Sequence, residues 1–270
     1  MLQVGIIGYG TIGEDVAEAI RQGKAGAAVV TSVLVRDQRK AIQASGGEAP
    51  FAFVEAPETF FAKKHDVIVE CAGHGAVRAY GEMALRSGAD LMLVSVGALA
   101  DEELRSRITV AAVETGRKIV VPSAAIGGLD RIAAGSVGAI DEVTLTTRKP
   151  PKAWYGTAVE KQVDLAALSE PFLAFAGPAR EAAVKFPESV NVSAALSLAG
   201  VGFDATKVKV YADPTVTRNT HEITASGLFG RVRVEISNTP SERNPKTGYI
   251  VAMSVVKNLK DRTSPFVVGT

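Results

Sequence analysis

Cysteine is nearly absent from this chain. A single one, Cys71, occurs in 270 residues, which excludes an internal disulfide and any multi-cysteine metal site. Aromatic residues make up only 6% of the chain, and histidine occurs three times, at His65, His74 and His221. Carriers for proton transfer near neutral pH are therefore few. No uninterrupted apolar run approaches the roughly 20 residues that cross a bilayer. Neither sign of charge dominates. There are 30 Lys and Arg against 29 Asp and Glu, a formal net charge of +1, so nothing points to nucleic acid or an anionic membrane as partner. The opening Met1-Leu2-Gln3-Val4 has no basic stretch and no cleavage site, so no secretory leader is expected and the chain reads as cytoplasmic. An apolar fraction of 47% and a charged fraction of 22% are those of a soluble globular protein. The length fits one large or two ordinary domains.

What the chain does have is concentrated at its start. Leu2 to Ile7 is a short apolar run that reads as a buried strand, and it stops at Gly8-Tyr9-Gly10-Thr11-Ile12-Gly13. Glu14 to Ile20 then carries apolar residues at helical spacing. Strand, G-x-G-x-x-G turn and helix in that order form a dinucleotide fingerprint. Gly8 permits the tight turn, Gly10 lets the backbone approach a pyrophosphate, and Gly13 lets the helix pack close to the strand. Free N–H groups at the helix start, from Thr11 and Ile12 onward, face the phosphates.

Strand and helix go on alternating. Val29–Val35, Phe51–Phe53, Asp66–Cys71, Asp90–Ser95 and Lys118–Val121 read as strands. Gln38–Ser45, Ala76–Ser87 and Asp101–Thr115 read as helices. The pattern predicts an α/β, Rossmann-type doubly wound parallel sheet over residues 1–122. Right-handed crossovers bring Gly8, Arg36, Ala72 and Ser95 to one carboxyl edge. After about residue 125 the texture changes. Glu142–Arg148, Lys207–Tyr211, His221–Ala225 and Gly230–Ile236 alternate with period two, with a helix at Val190–Ala199. This predicts a second, α+β domain over 123–245 with a mixed or antiparallel sheet, for substrate, catalysis and dimerisation. A C-terminal helix within 246–262 is expected to pack back on the first domain.

The end of the second strand offers Arg36-Asp37-Gln38-Arg39. Asp37 there favours NAD through the ribose 2′-hydroxyl, whereas Arg36 and Arg39 favour NADP, and use of both is expected. His74 sits in the glycine-rich turn Ala72-Gly73-His74-Gly75 and is expected to line the cofactor with Ala72 and Gly73. Ser95 is expected to flank the nicotinamide. His65 reads as a surface residue, and Cys71 as a buried strand-end residue rather than a nucleophile. His221 follows Arg218-Asn219-Thr220 in the densest cluster of unusual residues, and by position alone a structural role is the commoner case. No Ser-His-Asp arrangement and no metal-ligand spacing is present.

Several segments together carry a resemblance. They are the glycine turn, Val69–His74, Pro122–Asp130, Thr147–Pro151, Phe186-Pro187 with Asn191-Val192, Ala212–Pro214, Arg218–Ile223, Asn238–Ser241 and Asn244–Thr247. In their order and spacing the chain resembles the L-aspartate dehydrogenases along nearly its whole length. The resemblance implies oxidative deamination of L-aspartate to oxaloacetate and ammonia with NAD or NADP, and the reverse. It also implies iminoaspartate as intermediate, a link to NAD biosynthesis and a homodimer. His221 falls on the family's catalytic histidine, and Ala125 and Asn191 fall on cofactor-contacting positions. Ala124, Ser189 and Gly248 depart from the Gly, Asn and Ser of the family pattern. A substrate with two carboxylates needs cationic donors, for which Arg148, Lys149, Arg218 and Lys246 are candidates. The N–H groups of Gly127 to Asp130, before a helix from Arg131, are others. Asn191 also reads as a helix N-cap. Rival readings are another two-domain dehydrogenase, such as a homoserine dehydrogenase or dihydrodipicolinate reductase relative, and a non-catalytic dinucleotide sensor.

Overall fold

The computed structural model describes residues 1–47, 49–186, 190–244 and 247–269. It separates into two compact units, one formed by Met1–Ala124 with Ile250–Thr270 and the other by Ala125–Tyr249.

The first unit is a six-stranded parallel sheet in the order β3-β2-β1-β4-β5-β6. Its strands are β1 (Leu2–Ile7), β2 (Ala28–Leu34), β3 (Ala52–Val54), β4 (Val67–Glu70), β5 (Asp90–Leu93) and β6 (Ile119–Val120). Between them run α1 (Thr11–Arg21), α2 (Gln38–Ala44), α3 (Pro57–Phe61), α4 (His74–Arg86) and α5 (Glu102–Thr115). Side chains on both faces of the central strands are buried: Val4, Ile6, Val67, Ile68, Val69, Leu91, Met92 and Leu93 have no exposed surface. Each such aliphatic side chain contributes roughly 1.5–3 kcal/mol by leaving water, which explains near-continuous apolar runs in place of alternation. Helix α1 lays Gly13, Val16, Ala17 and Ile20 inward, one stripe at helical spacing. The Asp101 carboxylate accepts from the Leu104 N–H and caps α5, and Gly116 ends that helix in the left-handed region.

His65 departs from the surface role its sequence position suggested: only 4% of it is exposed. Its Nδ1 lies 2.7 Å from Thr31 Oγ1 and its Nε2 3.2 Å from the Phe60 carbonyl, while the ring stacks on Phe60 at 4.7 Å. Gly5 makes room, since a Cβ there would lie 2.9 Å from Phe60 and 3.0 Å from His65. The partners come from β2 and from the end of α3, a tertiary arrangement that local sequence does not announce.

The second unit is a five-stranded sheet, order β11-β10-β7-β9-β8. Its elements are α6 (Leu129–Gly135), β7 (Ile140–Lys149), β8 (Phe172–Pro178), α7 (Ala179–Lys185), α8 (Val190–Ala199), α9 (Gly202–Ala205), β9 (Lys207–Ala212), β10 (Thr220–Gly227) and β11 (Gly230–Ser237). β7 and β9 pair in parallel and the other pairings are antiparallel, so the sheet is mixed. Val143, Leu145, Val208, Val210, Ile223 and Ala225 share the buried face. β8 and α7 escaped the sequence reading. β8 is an irregular edge strand whose register shifts between Leu173 and Phe175, so its side chains do not keep a strict alternation. The helix expected from Arg131 begins at Leu129.

The last helix, α10 (Ile250–Asp261), belongs to the first unit, against α1. Arg262 pairs with Asp90 at 2.6 Å and Thr263 Oγ1 accepts the Ala27 N–H. Among the described residues no helix is long and apolar enough to cross a membrane.

Candidate functional site

In the first unit the carboxyl ends of β1, β2, β4 and β5 meet at one edge, where β1 separates the β2 side of the sheet from the β4 side. Ligands bind at such a switch point in doubly wound sheets. The Gly8 N–H donates to the Leu34 carbonyl at 2.9 Å. Gly8 has φ +94, and a Cβ on it would sit 2.7 Å from the Ala72 Cβ. Gly13 is tighter still, since a Cβ there would lie 2.2 Å from the Gly8 carbonyl oxygen. Above Gly10 nothing approaches within 4 Å of a Cβ position, and Gly10 gives α1 no side-chain cap. The N-terminal end of α1 is therefore uncapped by side chains, and the space beside Gly10 is open. That is the cradle a pyrophosphate requires, and these residues fit a dinucleotide.

Glu70 organises the neighbouring loops, a role the sequence reading missed. Its side chain is 1% exposed. Oε1 accepts from the Ala72 N–H at 2.7 Å, the Gly73 N–H at 2.7 Å and the Ser95 hydroxyl at 3.0 Å, and Oε2 accepts from the Ser95 N–H at 3.0 Å. Burial pushes its carboxyl above the ordinary Glu value, although these donors favour the charged form. One carboxylate thus ties the turn after β4 to the turn after β5. The available signal was an acid closing an apolar strand just before a glycine turn. His74 opens α4 directly behind Gly73, and Ser95 is buried. Cys71 is intermediate in exposure, and its thiol is raised well above normal by desolvation and by Glu70, which leaves it a poor nucleophile.

Asp37 has a structural task. Its Oδ1 accepts the Lys40 N–H at 2.9 Å and caps α2. Arg36 and Arg39 are exposed beside it.

In the second unit His221 is 6% exposed, with Nδ1 3.0 Å from Thr147 Oγ1. Register pairs His221 with Thr147 and Thr220 with Arg148. Side chains alternate along a strand, so Thr147 and Lys149 share a face with His221 while Arg148 lies on the opposite one. Lys149 is itself buried, with Nζ 5.1 Å from the Trp154 ring centroid. Desolvation, aided by the Lys149 ammonium, lowers the His221 pKa to about 4, so the imidazole is neutral at physiological pH. Arg148 is held by Asp213 at 2.8 Å and lies 4.5 Å over the Tyr211 ring. Burial alone would raise the Asp213 carboxyl, but the Thr215 hydroxyl and N–H together with Arg148 hold it below the ordinary value. Two cations adjacent in sequence are thus divided by the sheet.

The remaining predicted positions are scattered. Arg218 is exposed, and its Nη1 donates to Thr239 Oγ1 at 3.1 Å. Asn191 is exposed within the first turn of α8, inside the helix rather than at its cap. The Ala125 carbonyl accepts from Asn238 Nδ2 at 2.8 Å. Gly128 precedes α6 with φ +76. Lys246 and Ser189 lie outside the described residues. Ala124 has φ +50, the one non-glycine residue with positive φ among the described residues.

Comparison with known proteins decides the family. The L-aspartate dehydrogenase of Methanosarcina barkeri is 41% identical over 272 residues, covering all of both chains. The chain belongs to the L-aspartate dehydrogenase family. The enzyme of that name from Ralstonia pickettii is also 41% identical, over 97% of this chain and 98% of its own. The family model "Aspartate dehydrogenase, C-terminal" matches residues 130–262, and "Homoserine dehydrogenase, NAD binding domain" matches residues 8–122. The crystal structure of aspartate dehydrogenase from Thermotoga maritima superposes with a TM-score of 0.79 at 25% identity, over the whole of both chains.

Proposed function

We propose that the chain catalyses the NAD(P)-dependent oxidative deamination of L-aspartate to oxaloacetate and ammonia through iminoaspartate, and the reverse amination. In this reading the first unit holds the dinucleotide, with the pyrophosphate at Gly8–Gly13 and the nicotinamide half near Ala72–His74 and Ser95. Ala125 and Asn191 contribute further cofactor contacts. The second unit holds aspartate, and the functional assembly is a homodimer in the cytoplasm. The observation that carries the reading is a buried, neutral imidazole sharing one sheet face with a buried lysine.

The oxidised nicotinamide, when bound, accepts the hydride from the substrate α-carbon. An ammonium cannot push electrons toward the breaking C–H bond, so the amine must first lose a proton. His221 takes that proton at Nε2. This requires Nδ1–H to donate to Thr147 Oγ1, which fixes the tautomer and leaves the Nε2 lone pair available. Lys149 takes a substrate carboxylate. Desolvation is the main cause of the depressed imidazole pKa and the Lys149 ammonium the lesser one, so a carboxylate placed on Lys149 offsets only that lesser part as the substrate binds. His221 passes that proton to solvent; after hydride loss the neutral imidazole draws a proton from the water that attacks the imine carbon and returns it to the departing nitrogen. The resulting carbinolamine expels ammonia and leaves oxaloacetate. Arg148, tied to Asp213, and the exposed Arg218 are weaker candidates for the second carboxylate, and Lys246 is a further one.

The test is reduction of NAD and NADP with L-aspartate, L-homoserine and a panel of amino acids, followed by the absorbance of the reduced nicotinamide. Aspartate should be the preferred substrate. Turnover of homoserine but not aspartate would favour the rival dehydrogenase, and dinucleotide binding without turnover of any amino acid would favour the sensor.

A further inference from the structure

We infer that the first unit selects the dinucleotide carrying a 2′-phosphate on its adenosine ribose, with Arg36 receiving that phosphate, so that NADP is held more tightly than NAD. The inference rests on the dehydrogenase reading and deepens it.

The end of β2 is fixed beside the glycine turn: Ile7 pairs with Leu34, and the Gly8 N–H donates to the Leu34 carbonyl at 2.9 Å. An acid that accepts the ribose 2′-hydroxyl belongs at this strand tip. The residue immediately beyond β2 is Val35, whose N–H is committed to the Val54 carbonyl at 2.9 Å. Its side chain has no acceptor to offer. The carboxylates of Asp37 and Glu55, in the loops after β2 and β3, each have an oxygen engaged by backbone. Asp37 Oδ1 accepts the Lys40 N–H at 2.9 Å, and Glu55 Oε1 accepts the Gln38 N–H at 2.6 Å. Both serve the first turn of α2.

Arg36 stands between Val35 and this capped turn. It is exposed, and among the described residues its guanidinium makes no ion pair and no hydrogen bond; the same holds for Arg39. Three cations, Arg36, Arg39 and Lys40, therefore accompany two carboxylates already engaged by backbone. A planar guanidinium with unspent N–H donors matches a phosphate in a bidentate fork. A ribose hydroxyl gains little from it. Nearby, Tyr9 of the glycine turn packs edge-on against Phe53 at 4.8 Å and Phe51 at 6.1 Å. This cluster anchors the turn against β3, on the same side of the sheet order as the arginines.

Equilibrium binding tests the inference without turnover. Calorimetric titration of the whole protein with NADPH and with NADH should give at least about tenfold tighter binding of NADPH. 2′,5′-ADP should compete correspondingly better than 5′-ADP. Arg36→Ala should remove most of that ratio while changing NADH affinity less than about twofold, and Val35→Asp should shift the ratio toward NADH. Both substituted positions lie outside the fully buried core, and circular dichroism checks that the variants fold. Wild-type protein that binds NADH as tightly as NADPH, or an Arg36→Ala variant that weakens both alike, overturns the inference. Turnover of aspartate with wild-type protein that binds NADH as tightly as NADPH would sink this inference alone, whereas folded protein that binds neither dinucleotide would sink the dehydrogenase reading as well.

Discussion

The two units bury their strands differently, and they build their chemistry differently. In the first, β4 is buried at every position; in the second, β9 alternates exposed and buried residues from Lys207 to Ala212. The first unit makes its site from backbone: glycines that clear space, uncapped N–H groups at α1, and one buried carboxylate that fastens two loops. In the proposed function the second makes its site from side chains, an imidazole and an ammonium brought to one face of β7 and β10 by register. Backbone sites depend on the residues that are absent at each position, whereas side-chain sites depend on which way a strand turns each residue. Substitutions should therefore damage the first unit through shape and the second through chemistry.

The largest effect expected is on turnover. His221→Ala should lower kcat by roughly 10²- to 10⁴-fold with dinucleotide affinity unchanged. A calorimetric titration showing equal loss of cofactor binding would erase the division of labour between the units. Within the first unit, Gly13→Ala should destabilise the fold by about 3 kcal/mol, because its methyl group meets the Gly8 carbonyl oxygen. Gly10→Ala should leave chemical denaturation within about 0.5 kcal/mol but weaken dinucleotide binding about tenfold. Similar midpoints for the two alanine variants would show that these glycines are not doing separate jobs.

The pH dependence isolates the second unit. His221 has its pKa lowered on folding, so its contribution to stability is complete above about 6.5 and is lost as pH falls toward about 4. The loss is at most roughly 3 kcal/mol. His65, also lowered, acts in the same direction, and Glu70, which is raised, acts in the opposite one. His221→Asn should flatten the slope of unfolding free energy between those pH values, and an unchanged slope would remove the buried-imidazole argument. Glu70→Gln turns an amide NH₂ toward the Ser95 N–H or its companions, and should destabilise the first unit by about 2 kcal/mol. It should raise KM for the dinucleotide more than it lowers kcat. The smallest effect is favourable. Ala124→Gly should stabilise the protein by about 1 kcal/mol, since glycine adopts φ +50 without the Cβ penalty, and a rise in thermal midpoint would record it.

Much of the first unit was legible beforehand because its signals are local. A glycine turn between an apolar strand and an amphipathic helix has one structural meaning, and β1, β4 and β5 emerged where apolar runs ended at Gly, Ala or Ser. The strands of the second sheet followed from period-two alternation. What stayed hidden was non-local. His65 needed Thr31 and Phe60 beside it to be recognised as buried. Glu70 looked like the end of a strand until three backbone N–H groups were seen converging on it. β8 lacked regular alternation because its register shifts.

His221 was singled out by family resemblance rather than by position; the sequence by itself determined that a dinucleotide cradle opens the chain and that an α/β unit is followed by a mixed-sheet unit. Each depends on spacing within a single segment, where covalent geometry fixes the outcome. Only the tertiary structure decided that Lys149 lies with His221 while Arg148 lies behind the sheet, and that Asp37 is spent on capping α2. Those outcomes depend on strand register and on which N–H group a carboxylate reaches, and both are settled between segments rather than within them.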